Sequence, residues 1–104
     1  MAGIPKRYKK FQEEYPDVAN HYEGLADAVK VCGPLDTKTV SMIKLAISTG
    51  AKLEGAVHSH ARKALKSGCT PEELKQVIML AMPSLGLPST MAAFSWLEDI
   101  IGDE

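Results

Sequence analysis

Apolar residues recur along this chain at intervals of three and four, the spacing of one face of an α-helix. Tyr8, Phe11 and Tyr15 begin the pattern, and Pro16 resets it. From Pro16 to Val31, Val18, Tyr22, Leu25, Ala26 and Val29 fall on one side, and Cys-Gly-Pro at 32–34 stops the run. Asp36 is placed to cap a third helix, with Leu35 and Val40 spaced for a hydrophobic staple. Val40, Ile43, Leu45, Ala46 and Ile47 predict the buried surface of that helix, which runs through Thr49 and stops at Gly50. A fourth helix begins near Glu54 and closes at Gly68, a C-cap glycine. Thr70-Pro-Glu-Glu73 then reads as a capping box with proline in the first turn. That fifth helix carries Leu74, Val77, Ile78, Leu80 and Ala81, and Pro83 kinks or ends it. Ser-Leu-Gly-Leu-Pro-Ser at 84–89 reads as a tight connection, and Pro88 opens a last helix through Ile101. No stretch alternates with a period of two, so no strand is expected. The pattern predicts an all-α fold, a single domain over residues 1–104 with about six helices. The N-terminal helices occupy 4–31.

The fourth helix carries the chemistry. Leu53, Ala56, Val57, His60, Ala61 and Ala64 share one side at the helical period, which turns His60 inward. His58 lies about 160° away from it, so the two imidazoles do not enter one core together. Glu54 and His58 are four apart and meet on the helix surface. Two readings of His60 stay open. It is a core histidine hydrogen-bonded to a carbonyl, or it floors an apolar pocket and moves protons there, since imidazole titrates near neutrality. Glu54 and His58 are likewise a solvated pair or substrate-facing groups. They supply two ligands for a metal, but no third is evident, and His-x-His suits a strand better than a helix. No metal or cofactor is therefore expected.

Composition narrows the class. The 104 residues are 45% apolar and 24% charged, ordinary for a globular chain and unlike a disordered one. A formal charge of -1 gives no basic balance to favour nucleic acid. No apolar run reaches the roughly 18 residues of a membrane span, and the N-terminus lacks a signal-peptide core, so the expected location is cytoplasmic. So small a domain leaves apolar surface that a single copy buries poorly, which favours a homo-oligomer.

Three other features bear on function. Cys32 and Cys69 form no Cys-x-x-Cys pair and read as reduced thiols. Cys69, just before the Thr70 cap, either has its thiol pKa lowered by the helix dipole or packs on Leu74 as a staple residue. Lys6, Arg7, Lys9 and Lys10 are followed at once by Glu13, Glu14 and Asp17, a balanced solvated face. Phe94, Leu97 and Ile101 share the core face of the last helix, while Trp96 lies off it and suits either core or interface.

The order of these elements, with His-x-x-x-Ala-x-x-x-Gly at His60, Ala64 and Gly68, the Thr-Pro-Glu-Glu-Leu start and Gly86-x-Pro88, resembles the carboxymuconolactone decarboxylase superfamily. That superfamily includes the alkylhydroperoxidase AhpD, and the resemblance covers about residues 35–101. It implies an AhpD-like all-α fold assembled as trimers, hexamers or related rings. Its reductase branch uses a Cys-x-x-Cys whose positions here read Leu53 and Ala56, and a glutamate that falls near Ser41. Dithiol chemistry needs one sulfur to attack and one to resolve, so the motif for that branch is missing. The decarboxylase branch needs no cysteine, although the acidic residue expected one turn before the histidine is Ala56 here. The resemblance implies a lyase for a small carboxylated lactone or related acid. His60 would be the catalytic proton carrier, and Glu54 and His58 would orient the substrate. A thiol-dependent peroxide reductase using Cys32 or Cys69, and a non-catalytic oligomeric module that binds a small molecule, are the alternatives. No membrane partner is expected.

Overall fold

Helix follows helix in the computed structural model, which describes residues 6–102. The elements are α1 (Lys6–Glu14), α2 (Pro16–Lys30), α3 (Thr37–Gly50), α4 (Glu54–Lys66), α5 (Pro71–Met79), α6 (Met82–Leu85) and α7 (Leu87–Ile101). Six are substantial. The seventh, α6, is a single turn in what the sequence presents as a plain connection, with Pro83 in its first turn. No strand occurs among the described residues, and residues 4 and 5, assigned above to the first helix, lie outside them. The fold is all-α, as the periodicity predicts.

The chain divides into two compact units, one through Leu35 and one from Asp36. In the first, α1 and α2 form a helical hairpin. Phe11 lies between Tyr8 and Tyr15, with ring centroids 6.2 and 5.7 Å away. The Tyr8 hydroxyl donates to the Glu23 carboxylate, and that bond pushes the phenol pKa up to about 12. Ala19 is buried, whereas Val18, Tyr22, Leu25 and Val29 are more than half exposed. The apolar stripe read from the sequence is thus real, but it faces away from α1: the hairpin closes on the small side of α2.

The second unit holds the main core: Leu45, Val57, Ala61, Ala64, Leu74, Ile78, Ala93 and Leu97, with Cys69 and Ile101 at its edge. Trp96 and Phe94 pack against it, so the indole reaches the core from the flank. Burial on α3 differs from expectation. Leu45, Ser48 and Thr49 are buried, while Ile43 and Ile47 are 42% and 65% exposed. Apolar residues run around most of this helix, so spacing alone does not select the inward face. The Ser48 hydroxyl donates to the Leu45 carbonyl at 2.9 Å.

Caps set the element boundaries. The Asp36 side chain accepts from the Thr39 N–H at 2.7 Å, and the Thr39 side chain first and this backbone bond second lower its carboxyl pKa. Leu35 stays 54% exposed. The α4 C-terminus is a complete Schellman arrangement. Cys69 N–H bonds Ala64 C=O at 3.0 Å and Gly68 N–H bonds Leu65 C=O at 3.1 Å, and Gly68 takes φ +96° to allow it. Thr70 and Glu73 exchange capping-box bonds of 3.1 and 2.8 Å. Glu73 also holds Lys38 at 2.9 Å, tying α5 to α3.

Two outcomes follow. Among the described residues, Thr49 Oγ1 is a buried side-chain oxygen with no hydrogen-bond partner. Thr49→Val keeps the shape and removes the orphaned hydroxyl, so it should raise stability by about 1 kcal/mol in urea unfolding. The second concerns acid. The Thr70 backbone N–H, and after it Lys38, hold the Glu73 carboxyl below its ordinary 4.5. A carboxylate depressed on folding stabilises above its ordinary pKa, and that contribution disappears as pH falls through the folded value. Thermal melts should therefore drop as pH is lowered from about 4.5, and Glu73→Gln should flatten that part of the profile.

Candidate functional site

The site is built on α4. Val57, Ala61 and Ala64 are fully buried and define its inward line, and α7 packs on that line through a core shared with Ala93 and Leu97. These small alanines let the two helices approach closely, since interaxial distance follows side-chain size at the contact. His60 is half-buried. It lies one step around the helix from the Val57–Ala61–Ala64 line, on the border of the core and not at its centre. Leu53, placed with the inward group by spacing, is 55% exposed because it caps the helix.

His58 is on the opposite flank, half-buried, and it has a partner that the sequence did not indicate. Its Nε2 lies 3.0 Å from Asp99 Oδ2, with side-chain exposures of 24% and 57%. The carboxylate accepts, so Nε2 carries the hydrogen and Nδ1 is left as the second site on the ring. Glu54 is exposed in the first turn of α4. One ligand-type atom each from Glu54, His58 and Asp99 lie within 4.8 Å of one another. The structure therefore brings Glu54 and His58 together as their spacing predicts. It adds Asp99 from the last turn of α7 and leaves His60 on another flank of the same helix. Asp99 follows 41 residues after His58, and no local pattern links them. Only the pairing of α4 with α7 does.

The other positions of interest are explained by their contacts. Ser41, where the reductase branch places a glutamate, donates to Ser67 Oγ at 3.1 Å, and Ser67 donates to Lys63 C=O at 3.0 Å. Both cysteines are free thiols. Cys69 is 5% exposed and packs in the core with Leu74, the staple arrangement. Burial pushes its thiol pKa up, the Glu73 carboxylate adds to that, and Lys38 only partly opposes it. The thiol pKa is therefore raised and the thiol is not activated: burial and the Glu73 carboxylate outweigh Lys38. Cys32 is exposed and donates to Val29 C=O at 3.3 Å.

The chain's sequence matches the model of the carboxymuconolactone decarboxylase family over residues 16–99. It belongs to that family. The match takes in α2 through most of α7 and starts about one helix earlier than the motifs above. A relative, the uncharacterized protein MJ0742 of Methanocaldococcus jannaschii, is 30% identical over 93 residues, covering 88% of this chain and 89% of that protein. This member of the carboxymuconolactone decarboxylase family carries Leu53 at the N-cap and Ala56 in the first turn of α4, so the Cys-x-x-Cys pair is absent from this helix.

The two thiols should differ sharply in reactivity. Iodoacetamide on the native protein near neutral pH should label Cys32 and spare Cys69, with both labelled after unfolding. Mass spectrometry of the digested protein checks this.

Proposed function

We propose that the protein is a decarboxylase-type lyase acting on a small carboxylated lactone or related acid, with His60 as the proton carrier. The observation that carries this reading is the half-buried imidazole of His60, on the helix bearing the family's histidine motif and without a thiol pair beside it. Decarboxylation leaves electron density on the carbon that loses carbon dioxide. An imidazolium at that carbon supplies the replacement proton, a step that a positioned acid accelerates by roughly 10²–10⁴-fold. His58, held by Asp99, and Glu54 sit on the opposite flank of α4, where their polar atoms orient the far end of a carboxylated substrate or the adjoining copy of the chain.

The rest of the reading follows from surface and length. Exposed Val18, Tyr22, Leu25 and Val29 on α2, with Ile47 on α3, support assembly as a ring of like subunits, a trimer or hexamer. No described helix is long and apolar enough to cross a membrane, which is compatible with a cytoplasmic lyase. Thiol-dependent peroxide reduction is disfavoured by the buried, pKa-raised Cys69 and the missing Cys-x-x-Cys.

The test follows loss of a carboxymuconolactone by ultraviolet absorbance. Wild type should turn it over, and His60→Gln should lower kcat by about 100-fold or more with its helical content unchanged. Full activity in His60→Gln would remove His60 from the chemistry. Absence of turnover by the wild type on carboxylated lactones would remove the lyase reading and favour the ligand-binding module.

A further inference from the structure

We propose that Glu54, His58 and Asp99 form a binding site for a divalent transition-metal ion of the zinc class, on the surface where the first turns of α4 meet the last turn of α7. Three features of the molecule carry this. The first is the donor set. One imidazole with two carboxylates is a borderline ligand set suited to zinc, cobalt or nickel, whereas calcium and magnesium favour oxygen alone. The second is spacing. Ligands at about 2.0–2.1 Å from a tetrahedral zinc stand roughly 3.3 Å apart. His58 Nε2 and Asp99 Oδ2 are already 3.0 Å apart, and one ligand-type atom from each of the three residues lies within 4.8 Å of the others. A rotamer adjustment of the exposed Glu54 closes the remainder. An entering ion displaces the hydrogen on Nε2 to solvent or to Nδ1 and takes its place between imidazole and carboxylate.

The third feature is the scaffold. Two ligands are one helical turn apart on α4, and the third comes from a helix locked to α4 by fully buried Val57, Ala61 and Leu97. Ligands on packed helices keep their separation without the ion, so binding requires little ordering of the backbone. His58 is only 24% exposed at the side chain, which limits the wandering of its ring. With three protein ligands the ion keeps at least one open position, as solvent-accessible three-ligand zinc sites do. The inference goes beyond the lyase reading: the ion binds whether or not His60 turns a substrate over.

Calorimetric titration of the purified protein with zinc chloride, in a buffer that does not chelate zinc, tests the proposal. Wild type should take up one zinc per chain. His58→Gln, Asp99→Asn and Glu54→Gln should each weaken binding by about tenfold or more. His60→Gln and Cys32→Ser should leave it unchanged, since neither residue belongs to the cluster. Cobalt(II) in place of zinc provides a second readout, a visible absorption band that disappears in His58→Gln. Glu54→Gln keeps the test sound if a histidine variant misfolds, because Glu54 is exposed and its loss leaves the core intact. No zinc uptake by wild type, uptake undiminished in the cluster variants, or uptake abolished by Cys32→Ser or His60→Gln would each overturn the assignment.

Discussion

The close packing of α4 on α7 is the contact on which the candidate chemistry depends. Val57, Ala61, Ala64, Ala93 and Leu97 exclude solvent almost completely, and the alanines among them keep the helices near each other. Once that seam is closed, whatever flanks it on α4 is brought beside whatever flanks it on α7. His58 meets Asp99 for this reason, and Glu54, one turn away, joins them. His60 flanks the seam elsewhere and stays half-buried. One helix thus presents two imidazoles in different surroundings, one held by a carboxylate and one bordering the apolar core.

The cysteines show how burial sets the reactivity of a thiol. A thiol at the start of α5 enjoys a favourable dipole, yet Cys69 is drawn into the core against Leu74 and its ionised form is disfavoured. Burial disfavours the charged thiolate, and the nearby Glu73 carboxylate adds to that. Without sulfur at Leu53 and Ala56, the titratable groups that the first half of α4 presents in this carboxymuconolactone decarboxylase family member are imidazoles and a carboxylate. The serine pair Ser41–Ser67 links α3 to the end of α4 with neutral hydrogen bonds where a carboxylate would bring charge.

Helix ends are legible in the sequence because the physics behind them is local. The Asp36 cap, the Thr70–Glu73 capping box, the Gly68 terminus and the prolines of α2, α5 and α7 each act within a few residues. They set helix ends wherever the rest of the chain goes. Positive φ away from glycine was not legible: Lys52 takes φ 59° in the turn between α3 and α4, while Gly50 remains helical. The one-turn α6 was also missed, since four residues are too short for periodicity to register.

The amino-acid sequence by itself determined the helical class, most helix boundaries, the family motif and the proximity of Glu54 to His58. All of these depend on spacing within one segment. Tertiary structure decided which face of each helix is buried and which distant residues meet. Ile43 and Ile47 are left at the surface while Ser48 and Thr49 go inside, because a helix apolar on most sides takes its inward face from its neighbours. Asp99 becomes the partner of His58 across 41 positions for the same reason. Helical periodicity ranks the faces of one helix, but the choice of a packing partner is a property of the assembled core.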